Sequence, residues 1–147
     1  AESLPSGLAA TAGAVADETV DDIAGAFVLL VEDDVLVRQS IGILLDSCAV
    51  RYQAFASVED LARGLPGIER RPDVLLTDYR LPDDRTAHDV MALLASAWDM
   101  VPVLVLTGDA VAAEAFERAG GIAGVLRKPV APADLLKHLA TLYRRDP

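Results

Sequence analysis

The sequence predicts a doubly wound α/β sandwich of five β-α units around a five-stranded parallel sheet. Two observations carry this. From Phe27 onward, short apolar runs alternate with segments of helical period. Three of those runs, at 28–31, 74–76 and 103–106, are apolar at every position. Strands of that kind belong to parallel sheets covered by helices on both faces. Right-handed crossovers then give the doubly wound arrangement. The chain has 147 residues and is 52% hydrophobic, enough to bury a core at this length.

The elements follow in order. A strand is predicted over 27–31. A helix over 36–46 carries Leu36, Val37, Ile41, Leu44 and Leu45 at helical spacing. A weaker strand covers 50–54. Ser57 opens a short helix, with Glu59 and Asp60 in the first turn, where the helix dipole favours acids. A strand over 73–77 leads to a helix over 87–97, and a strand over 102–106 to a helix over 110–119. Gly120 and Gly121 stop that helix. A strand over 124–127 and a helix over 131–143 complete the set, with no internal repeat.

Residues 1–26 have a different texture, rich in Ala, Gly, Ser and Thr, and are expected to form a linker or N-terminal tail before a domain at 27–147. They hold five acids (Glu2, Asp17, Glu18, Asp21 and Asp22) and no Lys or Arg, half of the net charge of −10. That balance argues against a nucleic-acid surface, which needs clustered bases. Cys48 is the single cysteine, so no internal disulfide is expected, in keeping with a cytoplasmic protein. No apolar run reaches the ~18 residues of a membrane span, and no basic leader opens the chain. The start at Ala1 rather than methionine suggests a piece of a longer or processed chain.

In sheets of this type, ligands bind beyond the carboxyl ends of the strands. Glu32, Asp33 and Asp34 follow the first strand, and Asp78 the third. Thr107 and Gly108 follow the fourth, and Lys128 and Pro129 the fifth. The second strand ends on no reactive group. Carboxylates converging from two strand ends repel unless they are protonated or share a cation. A hard cation such as magnesium suits carboxylates, waters and a phosphate oxygen. With the Lys128 ammonium and the Thr107 hydroxyl, the set makes a site for a phosphoryl group. A carboxylate there can act as nucleophile and form an acyl phosphate.

Four runs carry a family resemblance: Val-Leu-Leu-Val-Glu-Asp-Asp at 28–34, Asp-Val-Leu-Leu-Thr-Asp-Tyr-Arg-Leu-Pro at 73–82, Pro-Val-Leu-Val-Leu-Thr-Gly at 102–108 and Leu-Arg-Lys-Pro at 126–129. Each is weak alone; in this order and spacing they resemble the receiver domains of two-component response regulators, over about 27–143. The resemblance implies a flavodoxin-like sheet of order 2-1-3-4-5; a chemotaxis receiver is a known instance of that order. It implies that Asp78 accepts a phosphoryl group from the phosphohistidine of a histidine kinase or histidine phosphotransfer protein. It further implies a magnesium (or manganese) ion on Asp33, Asp78, the backbone carbonyl of Arg80 and, through water, Glu32. Thr107 and Lys128 would hold phosphoryl oxygens, and the Lys128–Pro129 bond would be cis. Such a module catalyses its own phosphorylation and dephosphorylation rather than turning over a substrate. Its helical face formed by the fourth and fifth helices is the family's usual dimer interface, and homodimerisation stays open. The wording at 79–82 and 127–130 resembles receivers of hybrid histidine kinases. With only 144–147 after the last helix, a C-terminal receiver of such a kinase is favoured over a stand-alone one.

Two positions depart from the pattern. Val125 stands where many receivers carry the aromatic partner of the threonine. Ala87 stands where relatives often have glycine. Two other functions compete: a degenerate receiver acting only as a binding surface, and an aspartate-nucleophile phosphatase. The second needs Asp-x-Asp after the first strand, where this chain has Glu32-x-Asp34. Plainer roles are expected for several residues. Asp34 suits a helix cap, and Thr107 can cap as well as bind phosphate. The Arg80 side chain is either at the site mouth or simply in solvent. Trp98 and Cys48 suit packing. His88 and His138 lack the helical bundle that phosphotransfer histidines occupy.

Overall fold

The computed structural model describes residues 17–119 and 123–145. The three all-apolar runs become the three central strands: β1 (Phe27–Val31), β3 (Val74–Asp78) and β6 (Val103–Thr107), each buried at every position. β2 (Arg51–Phe55) and β7 (Ala123–Arg127) flank them. The sheet is parallel throughout, in the order β2-β1-β3-β6-β7. Counting only these five strands, this is the expected 2-1-3-4-5 order. The helices are α1 (Asp17–Ile23), α2 (Val35–Ser47), α3 (Val58–Gly64), α4 (Ala87–Ala95), α5 (Ala110–Ala119) and α6 (Pro132–Arg145).

Alternation along each strand divides the core in two. Val28, Leu30, Leu76, Leu104 and Leu106 face Ile41, Leu44 and Leu45 of α2 and Leu135, Leu136 and Leu139 of α6. Leu29, Val31, Leu75 and Val105 face Val58 and Leu61 of α3, Val90 and Leu94 of α4, and Phe116 of α5. Cys48 is buried in the first cluster, and Trp98 packs at the edge of the second. β2 is the sheet's open side, with Arg51, Gln53 and Ala54 exposed, so its sequence signal is weak. Gly42 brings α2 close to this strand: a Cβ there would collide with the Tyr52 ring.

Local chemistry sets the boundaries. The Asp34 carboxylate accepts the amides of Leu36 and Val37 at 2.9 and 3.2 Å, so α2 begins at Val35. Ser57 accepts the Asp60 amide at 3.0 Å and caps α3. α4 stops at Ala95, short of the expected 97, because the Ala97 and Trp98 amides both turn back to the Leu94 carbonyl. A two-stranded hairpin absent from the sequence reading, β4 (Arg80–Leu81) with β5 (Arg85–Thr86), follows Asp78. Asp83 and Asp84 turn it with φ of 63° and 60°, a conformation aspartate tolerates better than most residues. Within 1–26, α1 lies against α6, with Ile23 buried and Val20 packed on the first cluster. The glycines expected to stop α5 lie outside the described residues.

Candidate functional site

β1, β3, β6 and β7 end together, with Asp78 beside Leu106 and Thr107 beside Arg127 in register. Parallel pairing thus delivers Glu32, Asp33, Asp78, Thr107 and Lys128 to one edge of the sheet. Carboxylate oxygens of Glu32, Asp33 and Asp78 all lie within 4.8 Å of one another. Asp78 is buried and Asp33 exposed, so the cluster opens to solvent on the Asp33 side.

Glu32 is the most enclosed of the three, at 1% exposure. Its Oε2 accepts the Asp34 amide at 3.1 Å, while its Oε1 has no hydrogen-bond partner. Burial, and then the negative charge of Asp78, push its pKa up to about 7. Arg38 holds the turn beneath, donating from Nη1 to the Glu32 carbonyl at 2.8 Å.

Lys128 reaches the cluster from the end of β7. Its Nζ lies 2.6 Å from Asp78 Oδ1 and 3.5 Å from Glu32 Oε1. Burial works against its charge, but the Asp78 hydrogen bond and the two carboxylates outweigh it and hold its pKa above the ordinary lysine value. The Lys128–Pro129 bond is cis, as expected. One ammonium serves a cluster of three carboxylates, and the buried Glu32 Oε1 meets it at 3.5 Å without a hydrogen bond. That donor set fits a hard divalent cation with oxygen ligands.

Asp78, Arg80, Leu106, Thr107, Gly108, Asp109 and Lys128 line a pocket of about 340 Å³. Thr107 is buried, and its Oγ1 accepts the Asp109 amide at 3.0 Å. The hydroxyl hydrogen is therefore left to donate elsewhere. Asp109, which the sequence reading did not select, caps α5: its Oδ1 accepts the Val111 and Ala112 amides at 2.9 and 3.3 Å. Its Oδ2 takes the Arg80 guanidinium at 2.7 Å. That hydrogen bond lowers the Asp109 pKa and raises that of Arg80. An aspartate just ahead of a helical run is a cap signal that was legible. Its partner lies 29 positions away and was not.

The remaining positions are accounted for locally. Asp34 is the α2 cap. Val125 is half-buried against the second cluster. Ala87 is fully buried, and its amide donates to the Tyr79 carbonyl at 2.8 Å, closing the loop after Asp78. Thr86 and Asp89 form a reciprocal capping box at the start of α4. His88 is exposed and stacks on Phe116, while exposed His138 meets the Asp134 carbonyl at 2.9 Å.

A five-stranded doubly wound sheet with an acidic cluster, a lysine and a threonine at its carboxyl edge defines a class of α/β signalling modules. The family model described as the response regulator receiver domain matches residues 28–140. The chain belongs to that family, and is thus a receiver domain of two-component signalling. Solved structures agree. The chemotaxis response regulator CheY4 of Vibrio cholerae is 26% identical with a TM-score of 0.66, over 80% of this chain and 98% of that one. A receiver domain protein from Clostridium thermocellum is 24% identical with a TM-score of 0.70, over 82% and 95%. The receiver domain of the hybrid histidine kinase CckA shares the fold at 18% identity and a TM-score of 0.67, over 80% and 99%. No match is found among the curated proteins. Among the described residues, no helix is long and apolar enough to cross a membrane.

Proposed function

We propose that this receiver takes a phosphoryl group onto Asp78 from the phosphohistidine of a histidine kinase or histidine phosphotransfer protein. The observation that carries this reading is the 2.6 Å contact between Lys128 Nζ and the buried Asp78 carboxylate, in a pocket shared with Thr107. An Asp78 oxygen attacks phosphorus, and the P–O bond of an acyl phosphate forms as the P–N bond breaks. Imidazole leaves with the electron pair and takes up a proton. Lys128, freed from its bond to Asp78, follows the charge onto a phosphoryl oxygen. Thr107 donates its hydroxyl hydrogen to another. Later hydrolysis returns the carboxylate and inorganic phosphate.

Asp33 and Asp78 would hold a magnesium (or manganese) ion directly, with Glu32 acting through water and the Arg80 backbone carbonyl completing the protein's share. Such an ion neutralises the charge that builds on the phosphoryl oxygens. Glu32 Oε1, buried with no hydrogen bond and only a 3.5 Å approach to Lys128, supports a role for a cation or its water. The buried single cysteine and the acidic surface suit a cytoplasmic module.

Acetyl phosphate and magnesium test the reading. Intact mass is expected to gain one phosphoryl group in the wild type and none in Asp78→Asn. A wild-type mass that stays unchanged, with no magnesium bound, supports the degenerate receiver instead.

A further inference from the structure

β2 is an outer strand of the sheet, and none of the described residues pairs with its far side. The inner bonds show which of its backbone groups face outward. The Arg51 amide donates to the Ala26 carbonyl at 2.9 Å, and the Phe55 carbonyl accepts the Glu32 amide at 3.0 Å. With Phe27 opposite Arg51 and Val31 opposite Phe55, the backbone groups of Arg51, Gln53 and Phe55 are spent on β1. Alternation leaves the amides and carbonyls of Tyr52 and Ala54 on the open edge. That edge is also unguarded. Arg51, Gln53 and Ala54 are exposed, and the strand has no proline, lysine or bulge of the kind that protects natural edges.

We propose that β2 pairs antiparallel with β2 of a second copy, about a twofold axis through Gln53. The strand is self-complementary in that register. Its outward residues, Tyr52 and Ala54, lie one on each side of its centre. Full overlap therefore sets Tyr52 opposite the partner's Ala54, and Ala54 opposite the partner's Tyr52. Both become hydrogen-bonded pairs, and every outward amide and carbonyl is satisfied. A slip of one residue would set outward groups against inward ones. The side chains match as well. On the α2 side an aromatic ring meets a methyl group. On the α3 side Arg51 comes beside the partner's Phe55, a guanidinium near an aromatic face, and the two Gln53 amides meet at the axis. The two Arg51 side chains stand at opposite ends, so they do not oppose each other. On the same side Arg51, Gln53, Ile68 and Arg70 help to line a groove of about 290 Å³. Because α3 lies against Phe55 through Gly64, the second copy brings its own α3 beside that groove. Such a contact is one surface meeting itself, and it closes at two copies. Antiparallel pairing turns the two carboxyl edges to opposite sides, so both Asp78 sites stay open. The proposal does not depend on the reading of Asp78, and it leaves the family's usual dimer face, on α5 and α6, free.

The test is the mass of the full chain in solution, read by sedimentation at rising protein concentration. Salt at about 0.15 M screens the repulsion between two chains, each of net charge −10. A contact of one edge strand is small, so a reversible equilibrium of monomer and dimer is expected. Hydrogen exchange at the Tyr52 and Ala54 amides is expected to slow as the dimer forms. Gln53→Lys and Gln53→Glu each set like charges face to face at the axis, and each alone is expected to stay monomeric. Mixed in equal amounts, the two variants are expected to form a heterodimer, since opposite charges then meet. Ala54→Pro removes an outward donor at a position where an edge strand accepts proline, and is expected to stay monomeric. A wild type that remains monomeric throughout overturns the proposal. So does a dimer that these variants leave intact, which would place the contact on another surface. Failure of the two Gln53 variants to associate when mixed overturns it as well.

Discussion

Glu32 is the residue on which the site's electrostatics turn. Its carboxyl is enclosed beside Asp78, and its pKa rises from the usual 4.5 to about 7. In the unfolded chain the same carboxyl ionises near its ordinary value. Between those two values the native state holds a proton that the unfolded state has released. Linkage then makes the metal-free protein lose stability as pH rises through that window, with no further loss above it. Glu32→Gln removes this contribution. Melting temperature measured against pH in chelator is therefore expected to fall more steeply in the wild type than in Glu32→Gln, with the two curves parallel above pH about 7. Curves parallel throughout would contradict this account of Glu32. Magnesium reverses the sense: a cation competes with the proton, so its affinity is expected to rise with pH over the same window.

At the scale of elements, the sequence was most readable where one local rule decides. The apolar runs of β1, β3 and β6, short and set between segments of helical period, read as buried strands, and their ends marked Asp78, Thr107 and the Glu32–Asp33 pair. Lys128 was readable from its place before Pro129 at a strand end. The β4–β5 hairpin was not, because strands of two residues carry no periodicity and depend on the turn at Asp83 and Asp84. The Arg80–Asp109 pair escaped for another reason: only the parallel pairing of β3 with β6 brings the segments after them together. Caps sit between these cases, since residue type and position suffice. Asp34 is one such cap, and it fixes where α2 starts and so how the Glu32–Asp33 turn is held. Asp34→Ala leaves the Leu36 and Val37 amides without their acceptor. It is expected to cost about 1 kcal/mol, measured by urea unfolding. An unchanged midpoint would mean that water replaces the cap at no cost.

For the molecule as a whole, the folded unit extends beyond the residues that carry the family match. That match begins at 28, yet α1 ends on Ile23, which is 1% exposed and joins the same cluster as Leu45, Leu136 and Leu139. α1 escaped the sequence reading because few large apolar residues mark it among small and acidic ones. Position explains why those few suffice: Val20 and Ile23 close the first cluster against α6, and the Gly25 amide ties the following turn to the Ala49 carbonyl at 2.9 Å. Truncating Ile23 therefore opens a void in the main core rather than trimming a surface. Ile23→Ala is expected to lower the unfolding free energy by about 2–5 kcal/mol, the range for large-to-alanine changes in packed cores. Val20→Ala, at a half-buried position, should cost less. Denaturant unfolding measures both, and a single transition in each variant would show that α1 melts with the sheet. If Ile23→Ala left stability unchanged, α1 would be an appendage, and the cooperative unit would begin at β1.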